Sequence, residues 1–289
     1  MTTSRKLSVR SVREGGDHIV RFSRDVVQEL AAIRRDMSSI ISASSTTTTP
    51  TTPIASLGAR ETDFSAELLW YRMNEVSGTK LVNSGSYAPG IKDLVTNNLR
   101  VGSYGHFDRC VVADDITANR YALPTSGTLP DLGAKAATLL AWYTIGKADS
   151  GVATIAYQRI WGCVTAGSAS PIEMHITYLG DLLINYTMVG AGAGLLLMPQ
   201  SFRIWHGAKV MIATTYDGLN VRGYVNGVGY TGPALVDSLN WGLSGAWRLG
   251  NRAANDSWPV GQFHTAVAAN RVFTDAEIMA AYRKGMGWS

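Results

Sequence analysis

The sequence predicts an all-β chain folded as an antiparallel β-sandwich, preceded by an N-terminal α-helix and a flexible linker. Three observations carry this. Between Trp205 and Val228, apolar and polar residues alternate at the period of a strand, around the turn dipeptides Asp217-Gly218 and Asn226-Gly227. From about residue 66 onward, short apolar runs are separated by Gly, Pro, Asn and Asp at sandwich-like intervals. Ahead of them, residues 19–42 carry a seven-residue apolar period, and residues 43–59 are rich in Ser, Thr and Pro.

Residues 1–18 form a basic arm. Arg5, Lys6, Arg10 and Arg13 precede the first acidic residue, Glu14, and Gly15-Gly16 breaks any helix. The net charge of +4 is concentrated there, which suits docking to an acidic surface such as a protein shell or nucleic acid, or a solvated terminus. No interleaved aromatics accompany the arm, so sequence-specific nucleic-acid recognition is not expected.

In residues 19–42, Ile19, Val26, Ile33 and Ile40 recur every seventh position, and Leu30 and Met37 fall four residues after Val26 and Ile33. These are the a and d positions of about three heptads. An isolated helix of this length is marginal in water and needs a partner surface. With a linker following, that partner is expected to be another chain, in a dimer or trimer, while packing on its own sandwich is the other reading. Residues 43–59 then serve as a stalk, because Ser and Thr bury no core and the prolines extend the chain.

Residues 60–289 make the sandwich. In its central hairpin, Val210, Ile212 and Thr214 share one face of the first arm, with Met211 and Ala213 on the other. Val221, Gly223 and Val225 alternate with Arg222 and Tyr224 in the second arm, and Asp217-Gly218 reads as a two-residue turn. A helix starts at Thr274, where Thr274 and Glu277 match a capping box; Ile278, Ala281 and Tyr282 give its apolar stripe, and Gly285 stops it.

The segment from Trp205 to Val228, with its W-H, T-Y-D-G and Y-V-N-G elements, resembles the signature hairpin of the laminin-G-like, or concanavalin A-like lectin/glucanase, jelly rolls. Leu68–Gly78, Asn83-Ser84-Gly85, Ala137–Tyr143, Trp247–Asn251 and Gly261–Ile278 resemble further parts of that family in the right order. The resemblance implies a jelly roll that presents a rigid surface to a sugar or a protein. Some relatives bind calcium at the rim, for which Asp108 and Asp217 are possible donors. His264-Thr265 stands where the family usually has an acidic pair, so no metal site and no cofactor are expected.

The search for chemistry returns no catalytic residue. Glu61, Asp63 and Glu67 superficially match the paired carboxylates of β-glucanases, but they precede the first strand and their spacing is one residue too long. The five histidines show no metal-ligand spacing, no G-x-S-x-G elbow is present, and Gly190–Gly194 reads as a turn between strands. Cys110 and Cys163 read as buried free thiols. Sugar binding requires exposed aromatic planes beside hydrogen-bonding groups. Trp241, Trp258, Tyr230, Asn255 and Asp256 are the candidates, whereas Trp70, Trp142, Trp161, Trp205 and Trp247 are assigned to the core.

The chain has no apolar run long enough to span a bilayer, and its start lacks the apolar region of a secretory signal. The expected protein is a non-enzymatic virion surface protein, made in the host cytoplasm. Residues 1–45 would bind a shell or tail protein, and the jelly roll would hold glycans weakly. The rivals are a glycan-active enzyme of the same fold and a packing module with no ligand.

Overall fold

The computed structural model describes residues 61–87, 93–113, 121–124, 136–146, 157–165, 170–177, 179–241, 245–250 and 260–288. The basic arm, the heptad positions Ile19 to Ile40 and the linker lie outside the described residues, as do Asn255, Asp256 and Trp258.

Two eight-stranded antiparallel sheets stack face to face among the described residues. The first sheet runs β14 (Val228–Ala234), β13 (Asn220–Val225), β12 (Lys209–Tyr216), β7 (Ala137–Ile145), β16 (Gly261–Ala269), β5 (Arg109–Ala113) and β4 (Arg100–Tyr104). β1 (Leu69–Tyr71) also pairs with β16, beyond the stretch that β5 occupies. The second sheet runs β11 (Gly192–Leu197), β10 (Leu182–Met188), β9 (Ile172–Thr177), β8 (Tyr157–Thr165), β15 (Gly245–Gly250), β6 (Tyr121–Pro124), β3 (Leu94–Asn97) and β2 (Lys80–Leu81).

Strand alternation builds two cores. Leu139, Ala141, Tyr143, Ile212, Tyr216, Val221 and Phe263 of the first sheet meet Ile160, Trp161, Met174, Ile184 and Trp247 of the second. The opposite face of the first sheet packs beneath α1 (Asp275–Gly285), where Leu140, Trp142, Met211, Ala213, Tyr224 and Val267 meet Phe273, Ile278 and Ala281. β7 is therefore covered on both faces, which explains its nearly unbroken apolar run. Thr138 on that strand is satisfied by Arg271 and Phe273: its hydroxyl donates to the Arg271 carbonyl at 2.7 Å and accepts from the Phe273 N–H at 2.9 Å.

The central hairpin is present with a longer loop than the sequence suggests. Tyr216 faces Val221 and the Asp217 N–H donates to the Asn220 carbonyl at 3.3 Å, so Asp217 to Leu219 connect the strands, with the bend past Asp217, in place of a two-residue Asp-Gly turn. The Asp217 carboxylate causes this by accepting from the backbone N–H groups of Leu219 and Asn220, at 2.9 and 2.6 Å. The tight two-residue turn falls instead at Asn226-Gly227, where φ is +52° and +84° and Val225 faces Val228.

The Thr274–Glu277 capping box forms as predicted. Gly285, however, is the last residue inside α1, seated against the Trp142 indole, and the left-handed glycine that ends the helix is Gly287 at φ +76°. Of Gly190 to Gly194, only the start is a turn, since Gly192–Leu197 already pairs with β10. Cys110 and Cys163 are buried and form no disulfide; burial pushes the Cys110 thiol up to about 11.

Candidate binding site

A hollow of about 560 Å³ opens at one end of the first sheet. It is lined by the ends of β5 and β7, the start of β16 and the turn that leads into β12, which supply Ala113, Thr144, Gly146, His206, Val260 and Gln262. Its volume falls within the ~300–1,000 Å³ of ligand clefts. The walls are held by short backbone bonds, from Gly146 N–H to the Val260 carbonyl and from Gly207 N–H to the Ile145 carbonyl, both 2.6 Å.

Glycine is required where these walls meet. A Cβ on Gly261, whose φ is +145°, would fall 2.0 Å from the Thr144 carbonyl oxygen. Beneath the wall, the Tyr143 hydroxyl donates to the Val260 carbonyl at 2.6 Å. The frame is thus built before any ligand arrives, which lowers the entropy cost of binding.

Trp205 immediately precedes the lining residue His206 in the chain and is 73% exposed. Its assignment to the core is therefore overturned. Trp205 belongs to the turn before β12, closed by the Ala208 N–H donating to its carbonyl at 3.0 Å, so strand alternation does not govern its direction. The other four tryptophans assigned inward, Trp70, Trp142, Trp161 and Trp247, are buried. His206 hydrogen-bonds through Nδ1 to the Gly146 carbonyl at 3.1 Å, which leaves Nε2 directed away from that contact. The lining offers an imidazole, the Gln262 amide and a shallow apolar floor, and the exposed Trp205 adjoins it in the chain.

Of the candidates named from the sequence, Tyr230 and Trp241 lie elsewhere, and Asn255, Asp256 and Trp258 lie outside the described residues. Tyr230 is on the edge strand β14, half-exposed, with its ring 6.5 Å from that of Phe202. Trp241 follows the bridge between Leu239 and Met188 and packs partly buried against the inter-sheet core.

A second polar cluster sits on the outer face of the second sheet. Glu173 and His175 alternate with the inward-facing Ile172, Met174 and Ile176 on β9. The Glu173 Oε1 accepts from Asn185 Nδ2 at 3.0 Å and lies 3.0 Å from His175 Nε2 and 3.7 Å from Arg159 Nη2. Burial raises the Glu173 carboxyl, but His175, Arg159 and Asn185 outweigh it and hold the group below the usual carboxylate range. Glu173 is 1% exposed, so it meets no substrate in this arrangement. The spacing of Glu173 and His175 at i and i+2, on a strand with apolar neighbours, was the signal available for this cluster.

The carboxylates resembling a glucanase motif are engaged in the frame. Glu61 accepts from the Trp70 indole at 3.0 Å and pairs with Arg72 at 3.1 Å, and burial raises its carboxyl. Glu67 pairs with Arg271 at 2.8 Å, and Asp63 accepts from the Ser65 N–H. His264 and Thr265 are fully buried, and Asp217 holds its own loop.

With this geometry in place, the family follows. The profile of the concanavalin A-like lectin/glucanases superfamily, Laminin_G_3, matches residues 115–279, more than half of the chain. The chain belongs to that family. Among solved structures, it resembles the receptor binding domain of botulinum neurotoxin D at 12% identity and a TM-score of 0.56, covering 76% of this chain and 52% of that one. It resembles the botulinum neurotoxin serotype G binding domain at 14% identity and TM-score 0.52, covering 75% and 50%. Trypanosoma rangeli sialidase, in complex with sialic acid, aligns at 14% identity and TM-score 0.55, covering 91% and 40%. The chain spans about half or less of the length of these proteins, and at such identities the likeness concerns the fold. No curated protein sequence is significantly similar to the chain. The fold is shared by binding domains and by a sialidase.

Proposed function

We propose that the jelly roll is a non-enzymatic binding head that holds a saccharide in the rim hollow. The observation that carries this reading is the preformed hollow bearing His206, Gln262 and Thr144, with Trp205, 73% exposed, adjacent in the chain to its lining residue His206. An exposed indole presents an apolar plane on which a sugar ring can stack. Trp258, Asn255 and Asp256 precede Val260 directly in sequence, which keeps them as candidates for the same rim.

The head is carried by the heptad segment and stalk, and we assign the whole chain to a virion surface, anchored through residues 1–45 with Arg5, Lys6, Arg10 and Arg13 against an acidic shell. The support is the order of basic arm, heptads, Thr/Pro stalk and sandwich. A glycan-active enzyme is the weaker reading, because Glu61, Glu67 and Glu173 are each bound into structural pairs.

A glycan-array screen of the full chain, wild type beside Trp205→Ala, tests the head. Binding that falls at least tenfold in the variant is the expected result, on the scale of the roughly 1–3 kcal/mol that a ring stacked on an aromatic side chain gives in nucleic-acid binding. Wild-type glycan binding that survives Trp205→Ala unchanged moves the site away from this rim. Deletion of residues 1–45 tests the anchor; a truncated chain that still assembles on particles refutes it.

A further inference from the structure

We propose that the open edge of β11 is an interface between two copies of this chain. The inference does not depend on the saccharide reading. From Leu182 through Phe202 the sequence contains no Asp, Glu, Lys or Arg, so the β10–β11 hairpin is uncharged along its whole length. β11 ends the second sheet; it pairs with β10 on one side, with Leu183 opposite Leu197 and Asn185 opposite Leu195. Its other side therefore presents a row of backbone donors and acceptors with no neighbouring strand among the described residues. Leu196 points into the core, while Leu195 and Leu197 are 60% and 50% exposed on the outer face.

The edges at β2, β4 and β14 carry devices that block strand addition, and the outer side of the three-residue β1 is taken up by the Tyr71–Asn83 bridge and the Ser84 N–H donating to the Trp70 carbonyl at 2.8 Å. β2 is two residues long and begins with Lys80. β4 begins with Arg100 and is bulged between Val101 and Ser103. β14 contains Pro233, which has no N–H to donate, and pairs through an irregular register near Arg222. β11 has neither charge, proline nor bulge. An edge left open in this way is an aggregation hazard unless a strand covers it.

Charge selects the occupant. A charged partner would lose hydration against this neutral strip and gain no ion pair. A second copy of β11 is neutral and apolar, and antiparallel pairing of the strand with itself is isologous, so Leu195 and Leu197 of each copy meet those of the other. The heptad positions, expected to gather copies, would raise the local concentration of edges.

The test uses the chain carrying Val26→Asp and Ile33→Asp, so that any association expected of the heptad positions is removed. Sedimentation equilibrium and hydrogen exchange are read over a hundredfold range of protein concentration. The expected result is a concentration-dependent dimer, with residues 192–197 exchanging about tenfold more slowly at the high end. Adding Leu195→Lys and Leu197→Lys should abolish both while leaving Tm unchanged, because those side chains face solvent. The proposal is overturned if the heptad-substituted chain stays monomeric with constant exchange at 192–197. It is equally overturned if the lysine substitutions leave the dimer intact, or if protection appears only on adding a different protein.

Discussion

His264 accepts a 3.0 Å hydrogen bond through Nδ1 from the backbone N–H of His106, and this contact ties β16 to the turn between β4 and β5. The bond fixes the tautomer. Nδ1 is bare, so Nε2 carries the proton and donates to the Thr144 hydroxyl at 2.8 Å. His106 in turn directs Nε2 at the Gly285 carbonyl, at 2.8 Å, and its ring lies 5.0 Å from that of Trp142. Two histidines thus connect the sheet, a tight turn and the end of α1.

This arrangement predicts acid sensitivity. Burial, together with His106 and Lys209, pulls His264 down to about 3, and burial pulls His106 down as well. Both groups bind protons more readily when unfolded, near the ordinary value of 6.5. Stability is therefore fully present above about pH 6.5 and declines as pH falls toward 3. His264 alone accounts for about 2 kcal/mol of loss by pH 5. Thermal melts at pH 7.5, 6, 5 and 4.5 measure this. A His264→Gln chain, whose amide oxygen can still accept from His106, should show a flatter profile; an equally steep one would mean other groups carry the effect.

A glycine in the last turn of a helix normally gains from replacement by alanine, by roughly 1 kcal/mol. At Gly285 the sign should reverse. A Cβ there would fall 2.3 Å from Trp142 Cζ2, and that ring is held between His106 and Tyr282, the latter stacked at 5.9 Å. Overpacking at such a site costs ~1–3 kcal/mol. Urea unfolding of Gly285→Ala should show a lower midpoint with an unchanged slope; a higher midpoint would show that the ring moves freely.

What could be read from the sequence divides along physical lines. Periodicity located the sandwich, both faces of the β12–β13 hairpin and the capping box, because those depend on residues close in the chain. The loop at Asp217 escaped because a carboxylate that accepts two backbone bonds outcompetes the Asp-Gly turn preference. Trp205 escaped because alternation was extended past the first residue of the strand, Lys209. The rim hollow joins four segments distant in sequence, and composition carries no trace of that meeting.

The two kinds of tryptophan should separate cleanly. Trp205→Ala removes an exposed ring and should change stability by no more than about 0.5 kcal/mol. Trp247→Ala removes a ring that lies 5.3 Å from Trp161 in the inter-sheet core and should cost ~3–5 kcal/mol. Calorimetry of both variants checks the contrast. A large loss at Trp205 would make it a packing residue and weaken the saccharide reading.

Glu173 provides the control that separates the rim from the buried cluster. Replacing it with Gln keeps the shape but removes the charge that faces His175 and Arg159. Breaking a buried charge cluster at one partner costs ~3–5 kcal/mol, because the remaining cation stays desolvated without its counter-charge. Glu173→Gln should therefore lower Tm while leaving glycan affinity unchanged at temperatures where the chain is folded. Isothermal titration with whichever saccharide the array identifies, run beside a melt of the same sample, reads both quantities. Affinity lost with Tm preserved would place the ligand on the outer face of the second sheet, with Glu173 exposed by movement of what covers it, and would displace Trp205 from the site.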